Sequence, residues 1–121
     1  MDNKKLGSAF EKEMCRILAK EGYWVHFISP DNRGAQPFDI IAVKDGKPLV
    51  ADCKTCKNGI FRIERLEDNQ RLAFQKWRDC GNGEPAVFVK YNDSVYVIRY
   101  CELEFYGRIH LKNWRATWNL S

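Results

Sequence analysis

The sequence predicts a single domain, residues 1–121, of the α/β class, in which a mixed β-sheet is flanked by helices. A length of 121 residues is the size of one domain with a modest hydrophobic core. Hydrophobic residues make up 45% of the chain, which is typical of a globular protein rather than a disordered one. Helical and extended patterns follow each other in the order α-β-β-β-α-β-β, which predicts a layered domain with a helix on each side of the sheet.

Two segments have the periodicity of amphipathic helices. Between residues 4 and 21, apolar side chains recur at spacings of three and four residues, and Gly22 follows as a stop signal. Residues 67–79 show the same pattern and are followed by glycines at positions 81 and 83. We therefore predict one helix at the start of the domain and a second helix in its middle.

Five apolar segments are short enough to be β-strands. Two of them surround Asp45-Gly46, and an Asp-Gly pair between apolar segments is a strong short-range signal of a β-hairpin. Beyond residue 100 we expect a short turn or helix, followed by a strand near residues 108–114. The predicted strands are 23–29, 38–43, 49–55, 86–91 and 95–99, with a polar loop at 30–36.

The distribution of charge favours an anionic partner. The chain has a formal net charge of +4, and segments 54–78 and 105–121 carry the excess of lysine and arginine. The five cysteines occur in a chain with no secretory signal and no apolar stretch long enough for a membrane helix. These features predict reduced thiols, no membrane contact and a cytoplasmic location.

A two-residue turn at Asp45-Gly46 places Asp39 directly opposite Asp52 in the predicted hairpin. Their Cβ atoms would lie about 5 Å apart, and like charges at that separation destabilise a sheet unless a cation lies between them. Both faces of the hairpin are apolar, so we expect it to be covered on both sides. Mg²⁺ suits this position because it takes carboxylate ligands and bridges to phosphate. The alternative is a surface hairpin with solvated acids at its open end.

Lys54 lies two residues beyond Asp52 and therefore points to the same face of the strand, whereas Cys53 points to the other face. A lysine beside a metal site can orient an attacking water or stabilise the charge that develops on a phosphate. Two acids, a metal ion and a lysine are together sufficient for phosphodiester hydrolysis. Cys53 and Cys56 have no second Cys or His pair at zinc-finger spacing, so we expect Cys53 to pack in the core.

Two further polar residues lie in or beside the apolar stripes of the helices. Gln70 follows Leu66 by four residues and faces inward, so it needs hydrogen-bond partners. Those partners would be a metal-bound water or a phosphate, or else the backbone at the end of the helix. On the first helix, Glu11 lies at the edge of the apolar stripe and Glu13 nearer its middle, so periodicity does not choose between them.

These residues together resemble the PD-(D/E)XK nuclease superfamily. The first motif corresponds to Pro37-Phe38-Asp39 and the second to Asp52-Cys53-Lys54. Within this superfamily the chain most resembles the RecU-type Holliday junction resolvases, and it resembles the archaeal resolvases more loosely. The similarity extends from about Gly7 to Tyr106. It is carried by Gly7–Lys12, Phe38-Asp39, Ala51–Thr55 and Asn69-Gln70.

The resemblance implies a restriction-endonuclease-like fold and Mg²⁺-dependent hydrolysis of DNA, with Mn²⁺ able to replace Mg²⁺. It also implies a symmetric homodimer that cuts four-way junctions and leaves 5′-phosphate and 3′-hydroxyl ends. Lys54 matches the catalytic lysine, and Gln70 matches the glutamine of a His-Gln element. The residues that match metal ligands are Glu11, Asp39, Asp52 and the backbone carbonyl of Cys53.

Several departures from the motifs keep other functions open. Phe38 separates the proline from the aspartate, Asp52 replaces the commoner glutamate, and Asn69 replaces the histidine. Residues 28–36 are also too few to hold the insertion that RecU proteins place in the junction. Two alternatives remain. The chain could be a nuclease for another DNA structure, of restriction or repair type, or a non-catalytic DNA-binding module on the same fold.

The basic segments predict where the DNA backbone would be contacted. Phosphate contacts need lysine and arginine but no sequence readout, and the alternative is a solvated basic face. In the tail, residues 108–115 interleave basic and aromatic side chains, a pattern that can stack on bases or lie against phosphate. The alternative, which we favour, is a strand with Ile109 and Leu111 packed inward, or a dimer contact. The predicted DNA-binding residues are Arg33, Lys57, Arg62, Arg65 and Arg71.

Overall fold

The computed structural model describes residues 3–28 and 37–120, with side chains described from residue 9 onward. The polar loop predicted at 30–36, including Arg33, lies outside the described residues. Three α-helices are present in the described part of the chain. They are α1 (Asn3–Lys20), α2 (Asp68–Asp79) and α3 (Tyr100–Tyr106).

Among the described residues, eight strands form two sheets, and the larger sheet has six strands in the order β1-β2-β3-β5-β6-β8. Only the central pair, β3 and β5, is parallel, and every other pair in this sheet is antiparallel. The strands of this sheet are β1 (Trp24–Phe27), β2 (Ile40–Lys44), β3 (Lys47–Thr55), β5 (Ala86–Tyr91), β6 (Ser94–Arg99) and β8 (Trp118–Asn119). The second sheet is an antiparallel ribbon of β4 (Ile60–Arg62) and β7 (Arg108–His110). The predicted α/β fold with a mixed sheet flanked by helices is confirmed.

The β2–β3 hairpin has the register that its turn predicts. Asp45 and Gly46 adopt φ values of 53° and 74°, the left-handed conformation that a tight two-residue hairpin turn requires. Lys44 then lies opposite Lys47, and Ile40 lies opposite Ala51 at the far end of the ladder. Continued by one residue, the same register places Asp39 beside Asp52.

The two faces of the large sheet are covered by different elements. One face is covered by α1, whose Phe10, Met14 and Leu18 are buried against it. The other face is covered by α2, α3 and the β4–β7 ribbon, which bury Phe74, Leu103, Phe61 and Ile109. This coverage on both sides places the central strand β3 in the interior, so every polar side chain in the middle of β3 is desolvated.

The C-terminal part of the chain is built from shorter elements than the sequence analysis predicted. A strand near residues 108–114 was expected, and the structure has a strand of three residues followed by a single 3₁₀ turn at 111–113. Ile109 and Leu111 are buried, as the inward-packed alternative required. At the end, Trp118 packs edge-on against Phe88 and its indole N–H donates to Glu21 at 3.0 Å. The last strand is therefore tied to the residue that directly follows α1. Within the described ranges, none of the helices has the length and apolar character needed to cross a membrane.

Candidate active site

The open end of the β2–β3 hairpin brings two aspartates into the interior. Asp39 directly precedes β2, and its backbone N–H donates to the Ala51 carbonyl at 3.0 Å. Its side-chain Oδ2 accepts a hydrogen bond of 2.8 Å from the N–H of Cys53. Asp39 is 5% exposed and Asp52 is fully buried. The hairpin alternative with solvated acids is therefore wrong, because both carboxylates lie under the covering helices.

The carboxylate of Asp52 is the least satisfied group in the described part of the protein. Both of its oxygens are buried, and neither has a hydrogen-bond partner among the described residues. A buried carboxylate without partners is costly unless it is protonated or neutralised by a cation. An oxygen-ligated divalent cation fits this environment, because it would supply the missing interaction to both oxygens.

The pKa of Asp52 reflects the same unfavourable burial of its charge. Burial, and next the like charge of Asp39, raise its pKa from 3.8 to about 8. The positive charge of Lys54 acts in the opposite direction. The backbone N–H of Asp39 acts in the same direction as Lys54, although its hydrogen bond is made to the Ala51 carbonyl. Without a cation, the site therefore holds a proton at neutral pH.

On α1 the structure distinguishes the two glutamates that periodicity left equal. Glu11 is half-buried and interacts electrostatically with Asp39 and Lys54. Its burial, followed by the charge of Asp39, raises its pKa from 4.5 to about 7. Glu13 instead forms a salt bridge of 3.5 Å with Lys90. Glu11 is thus the glutamate of α1 that faces the two aspartates.

The acids are near one another but are not arranged as a finished metal site. Among the described side chains, no three carboxylate, imidazole or thiol groups stand close enough together to hold a metal ion. The Asp39 carboxylate is turned toward the N–H of Cys53. Binding one cation with Glu11, Asp39 and Asp52 would therefore require these side chains to rotate toward each other.

The cysteines near the site belong to the core, as the sequence analysis expected of Cys53. Cys53 is buried in the core beneath α1, whereas Cys56 lies in the core on the opposite face of the sheet. Burial raises the pKa of the Cys53 thiol well above its usual value, which disfavours the thiolate that zinc needs. The Cys56 thiol donates to the Ile60 carbonyl at 3.4 Å. The two thiols therefore cannot share a metal ion.

Gln70 has a structural partner at the start of α2. It is buried, and its Oε1 accepts a hydrogen bond of 3.0 Å from the N–H of Glu67. The Glu67 side chain caps the helix in return, which completes a capping box. The hydrogen bond to the backbone at the helix end, which was one of the two alternatives for Gln70, is therefore present. Only the amide nitrogen of Gln70 remains to serve the site.

The predicted DNA-binding arginines differ in their surroundings. Arg65 is exposed, and its guanidinium donates to the Thr55 carbonyl at 3.0 Å, one residue beyond Lys54. Arg71 donates to the Tyr100 hydroxyl at 3.4 Å and is half-buried. Lys57 and Arg62 are exposed near the start of the β4–β7 ribbon. Arg108, which belongs to the basic and aromatic tail but not to the five predicted DNA-binding residues, lies opposite Arg62 in that ribbon.

The fold and this hairpin first define a class of protein. A mixed sheet with two buried acids at the end of a central hairpin, and a lysine two residues after the second acid, is the arrangement of the PD-(D/E)XK nucleases. The structure of Archaeoglobus fulgidus Hjc, described as a Holliday junction resolvase from an archaeal hyperthermophile, has a similar fold with a TM-score of 0.61. The match covers 77% of this chain and 75% of that chain at 19% identity.

Sequence comparison then identifies the family. The model of the archaeal Holliday junction resolvase family (Hjc) matches residues 2–117, and the chain belongs to this family. The crossover junction endodeoxyribonuclease Hjc of Methanocaldococcus jannaschii is 30% identical over 92 residues. These residues are 76% of this chain, and the chain spans 64% of the length of that curated relative. The predicted resemblance to the PD-(D/E)XK superfamily is thereby confirmed. Within it, the family model that matches is that of the archaeal resolvases, which the motifs had placed second to the RecU type.

The raised pKa values predict an unusual pH dependence of stability in the metal-free protein. In EDTA, the free energy of unfolding should fall as the pH rises from about 5 to about 8. The reason is that the folded state keeps protons on Asp52 and Glu11 that the unfolded chain has already released. Asp52→Asn should reduce this slope by up to about 1.4 kcal/mol per pH unit. Urea unfolding followed by tryptophan fluorescence at several pH values measures it.

The control for this prediction is Glu64→Gln, which removes an exposed carboxylate from the 3₁₀ turn at 63–65. Its pH dependence should match that of the wild type. If Asp52→Asn also matched the wild type at every pH, Asp52 would not be the strained carboxylate of the metal-free site.

Proposed function

We propose that this protein is a Mg²⁺-dependent endonuclease that hydrolyses phosphodiester bonds in branched DNA, with the four-way junction as its substrate. The single observation that carries this proposal is the fully buried, unpartnered carboxylate of Asp52 beside Asp39 and Lys54. A protein that only bound phosphate would gain nothing from clustering acids in its interior, because they repel the phosphate and cost stability.

The choice of substrate is supported by the names of the relatives. The Methanocaldococcus jannaschii relative is named a crossover junction endodeoxyribonuclease, and the Archaeoglobus fulgidus protein is described as a Holliday junction resolvase. The chain also has the exposed basic residues that a DNA backbone requires. We place the activity in the cytoplasm, because the five cysteines are free thiols and the substrate is DNA.

The metal ligands that we propose are the three acids and one peptide group. Asp39 and Asp52 are joined by the hairpin register, and Glu11 approaches from α1. The backbone carbonyl of Cys53 is the fourth ligand. When bound, Mg²⁺, or Mn²⁺ in its place, supplies charge neutralisation for the acids and the phosphate and makes a water molecule easier to deprotonate. Deprotonation of Asp52 and Glu11 accompanies binding, since both hold raised pKa values without a cation.

Lys54 carries out the part of the chemistry that needs a positive charge from the protein. Lys54 is half-buried on the same face of the strand as Asp52, and its charge opposes the rise in the pKa values of Asp52 and Glu11. In this position it can hold the attacking water and stabilise the charge that develops on the phosphate oxygens. Gln70 joins it as a weaker candidate, through the amide nitrogen that the helix cap leaves available.

The DNA backbone is held by exposed and half-buried basic side chains, one of which, Arg65, contacts the end of β3. Arg65 is anchored to the Thr55 carbonyl, so its position relative to Lys54 is fixed by a hydrogen bond rather than by a flexible side chain alone. Lys57 and Arg62 are exposed on the segment that follows β3. Arg71 contributes from α2, beside the Tyr100 hydroxyl. Arg33 completes the predicted set.

We also propose that the protein acts as a homodimer. A four-way junction has two-fold symmetry and is resolved by two matched cuts, so two identical sites related by symmetry suit it. Phe105 and Tyr106 at the end of α3 are 81% and 59% exposed, and their rings contact each other edge to face. Trp114 extends the same aromatic cluster through Tyr106. A contiguous apolar surface of this kind is a natural place for the second copy.

Cleavage of a labelled synthetic four-way junction tests the proposed activity. With Mg²⁺ the wild type should introduce paired symmetric nicks, and with EDTA it should introduce none. Asp52→Asn should lower the single-turnover rate by about a thousandfold or more, because it removes the carboxylate that neutralises and holds the cation. DNA binding measured in EDTA should persist, since Asp52 is fully buried and its raised pKa keeps it protonated in the metal-free protein. Glu64→Gln is the matched control and should cleave as the wild type does.

The other outcomes of this assay identify the rival functions. Equal cleavage of linear duplex of the same sequence would retain the nuclease and reject the junction as its substrate. Tight binding of the junction with no cleavage under any metal condition would instead support a non-catalytic DNA-binding module. An unchanged rate for Asp52→Asn would show that the acidic hairpin is not the catalytic centre.

The dimer is tested by light scattering coupled to gel filtration. At micromolar concentration the wild type should have twice the mass of one chain, and Phe105→Ser combined with Tyr106→Ser should have the mass of a monomer. Leu72→Ser is the control, because Leu72 is also exposed but belongs to α2 and has no ring contact with this cluster. A monomeric wild type would contradict the dimer, and a dimeric double variant would place its interface elsewhere.

A further inference from the structure

We propose that the β4–β7 ribbon is a second contact for the DNA backbone, in which Arg62 and Arg108 together bind a phosphate outside the acidic site. This inference rests on the proposed action of the protein on DNA. It adds a residue of the C-terminal segment, Arg108, to the DNA-binding surface and assigns the two arginines a joint role.

The ribbon has one buried face and one exposed face. Phe61 of β4 and Ile109 of β7 are directly opposite each other and fully buried in the core beneath α2 and α3. The side chains of the residues next to Phe61 and Ile109 point to the opposite, exposed face, because successive side chains of a strand alternate between its two faces. Arg62 and Arg108 are therefore directly opposite each other on the exposed face.

A pair of arginines in this position is electrostatically unfavourable without an anion. Side chains directly opposite each other in an antiparallel pair have Cβ atoms about 5 Å apart, and like charges there destabilise the sheet. Neither Arg62 nor Arg108 has a carboxylate within salt-bridge distance among the described residues. By contrast, Arg78 and Arg99 are each paired with a glutamate.

The other pair of opposed cations in the sheets is compensated. Lys44 lies opposite Lys47 beside the β2–β3 turn. The Lys44 ammonium donates to the Glu21 carbonyl at 2.7 Å and lies over the Tyr23 ring. Neither kind of contact is described for Arg62 or Arg108, so both guanidinium groups remain available to bind an external anion. A guanidinium fork is also well suited to phosphate, which it can bind through two parallel hydrogen bonds.

The ribbon is held close to the strand that carries the acidic site. Arg65, in the turn after β4, donates to the carbonyl of Thr55 at the end of β3 at 3.0 Å, and the Cys56 thiol donates to the Ile60 carbonyl of β4 at 3.4 Å. Arg62 follows Lys54 by eight positions, so their Cα atoms are at most about 29 Å apart. This is less than one turn of a duplex, about 34 Å, so one DNA arm can contact both sites.

A shallow cleft at the Ile60–His110 end of the ribbon has no acidic side chain in its lining. It lies between the turn that precedes β4 and the turn that follows β7. Its lining offers side-chain amide groups and a lysine, all able to donate hydrogen bonds to phosphate oxygens. The lining residues are Asn58, Gly59, Ile60, His110, Lys112 and Asn113. The expected ligand is therefore a sugar–phosphate backbone rather than a base edge, and its binding should not depend on sequence.

Salt-dependent binding of a fluorescently labelled junction tests this proposal. The measurement is made in EDTA, so that no cleavage occurs, on the full chain with Arg62→Gln, Arg108→Gln or both. Each single variant should weaken binding several-fold. The double variant should make the slope of log K against log salt less steep by about 1 to 2, because each lost phosphate contact releases about one fewer counterion. Thermal unfolding should show no loss of stability, since the substitutions remove a repulsion.

Lys47→Gln combined with Lys76→Gln is the matched control, because it removes the same charge from exposed lysines on the β2–β3 turn and on α2. It should bind the junction with the salt slope of the wild type. Equal slopes for the control and the arginine double variant would overturn the proposal, as would an Arg108→Gln variant that binds like the wild type. Binding in EDTA does not need catalysis, so a wild type that binds through the ribbon but never cleaves would reject only the nuclease function.

Discussion

The burial of one charged group, the Asp52 carboxylate, is the constraint on which the site depends. Asp52 lies on the central strand β3, between β2 and β5, with helices covering both faces of the sheet. Water therefore cannot solvate it, and the nearest charged groups are Asp39 and Lys54 rather than a complete set of partners. In the metal-free protein, protons on the acids relieve this repulsion, and a divalent cation relieves it when the protons leave.

Much of this arrangement follows from local sequence. The Asp45-Gly46 turn accepts positive φ at both positions, which sets a two-residue hairpin and thereby the pairing of every residue in β2 and β3. The positions of Asp39 and Asp52 opposite each other then follow from the residue pairing that the turn sets. The alternation of β3 likewise places Cys53 in the core under α1 and leaves Lys54 on the face of Asp52.

The parts that could not be predicted depend on contacts between distant segments. Glu11 and Glu13 have similar positions on α1, and only the packing of that helix on the sheet directs Glu11 to the aspartates and Glu13 to Lys90. The strands of the β4–β7 ribbon are three residues long, too short for a period-2 pattern to be recognised. The sequence therefore could not predict that Arg62 and Arg108 lie opposite each other, although it indicated that each arginine belongs to a basic segment.

The central claim is that the buried carboxylate pair binds a divalent cation, and direct binding of Mn²⁺ tests it without any need for DNA or activity. Electron paramagnetic resonance of free Mn²⁺ at pH 7.5 should show saturable uptake by the wild type and by Glu64→Gln. Asp52→Asn should take up at least tenfold less at the same concentrations, because the unpartnered carboxylate is gone. Uptake by Asp52→Asn equal to that of the wild type would contradict the account.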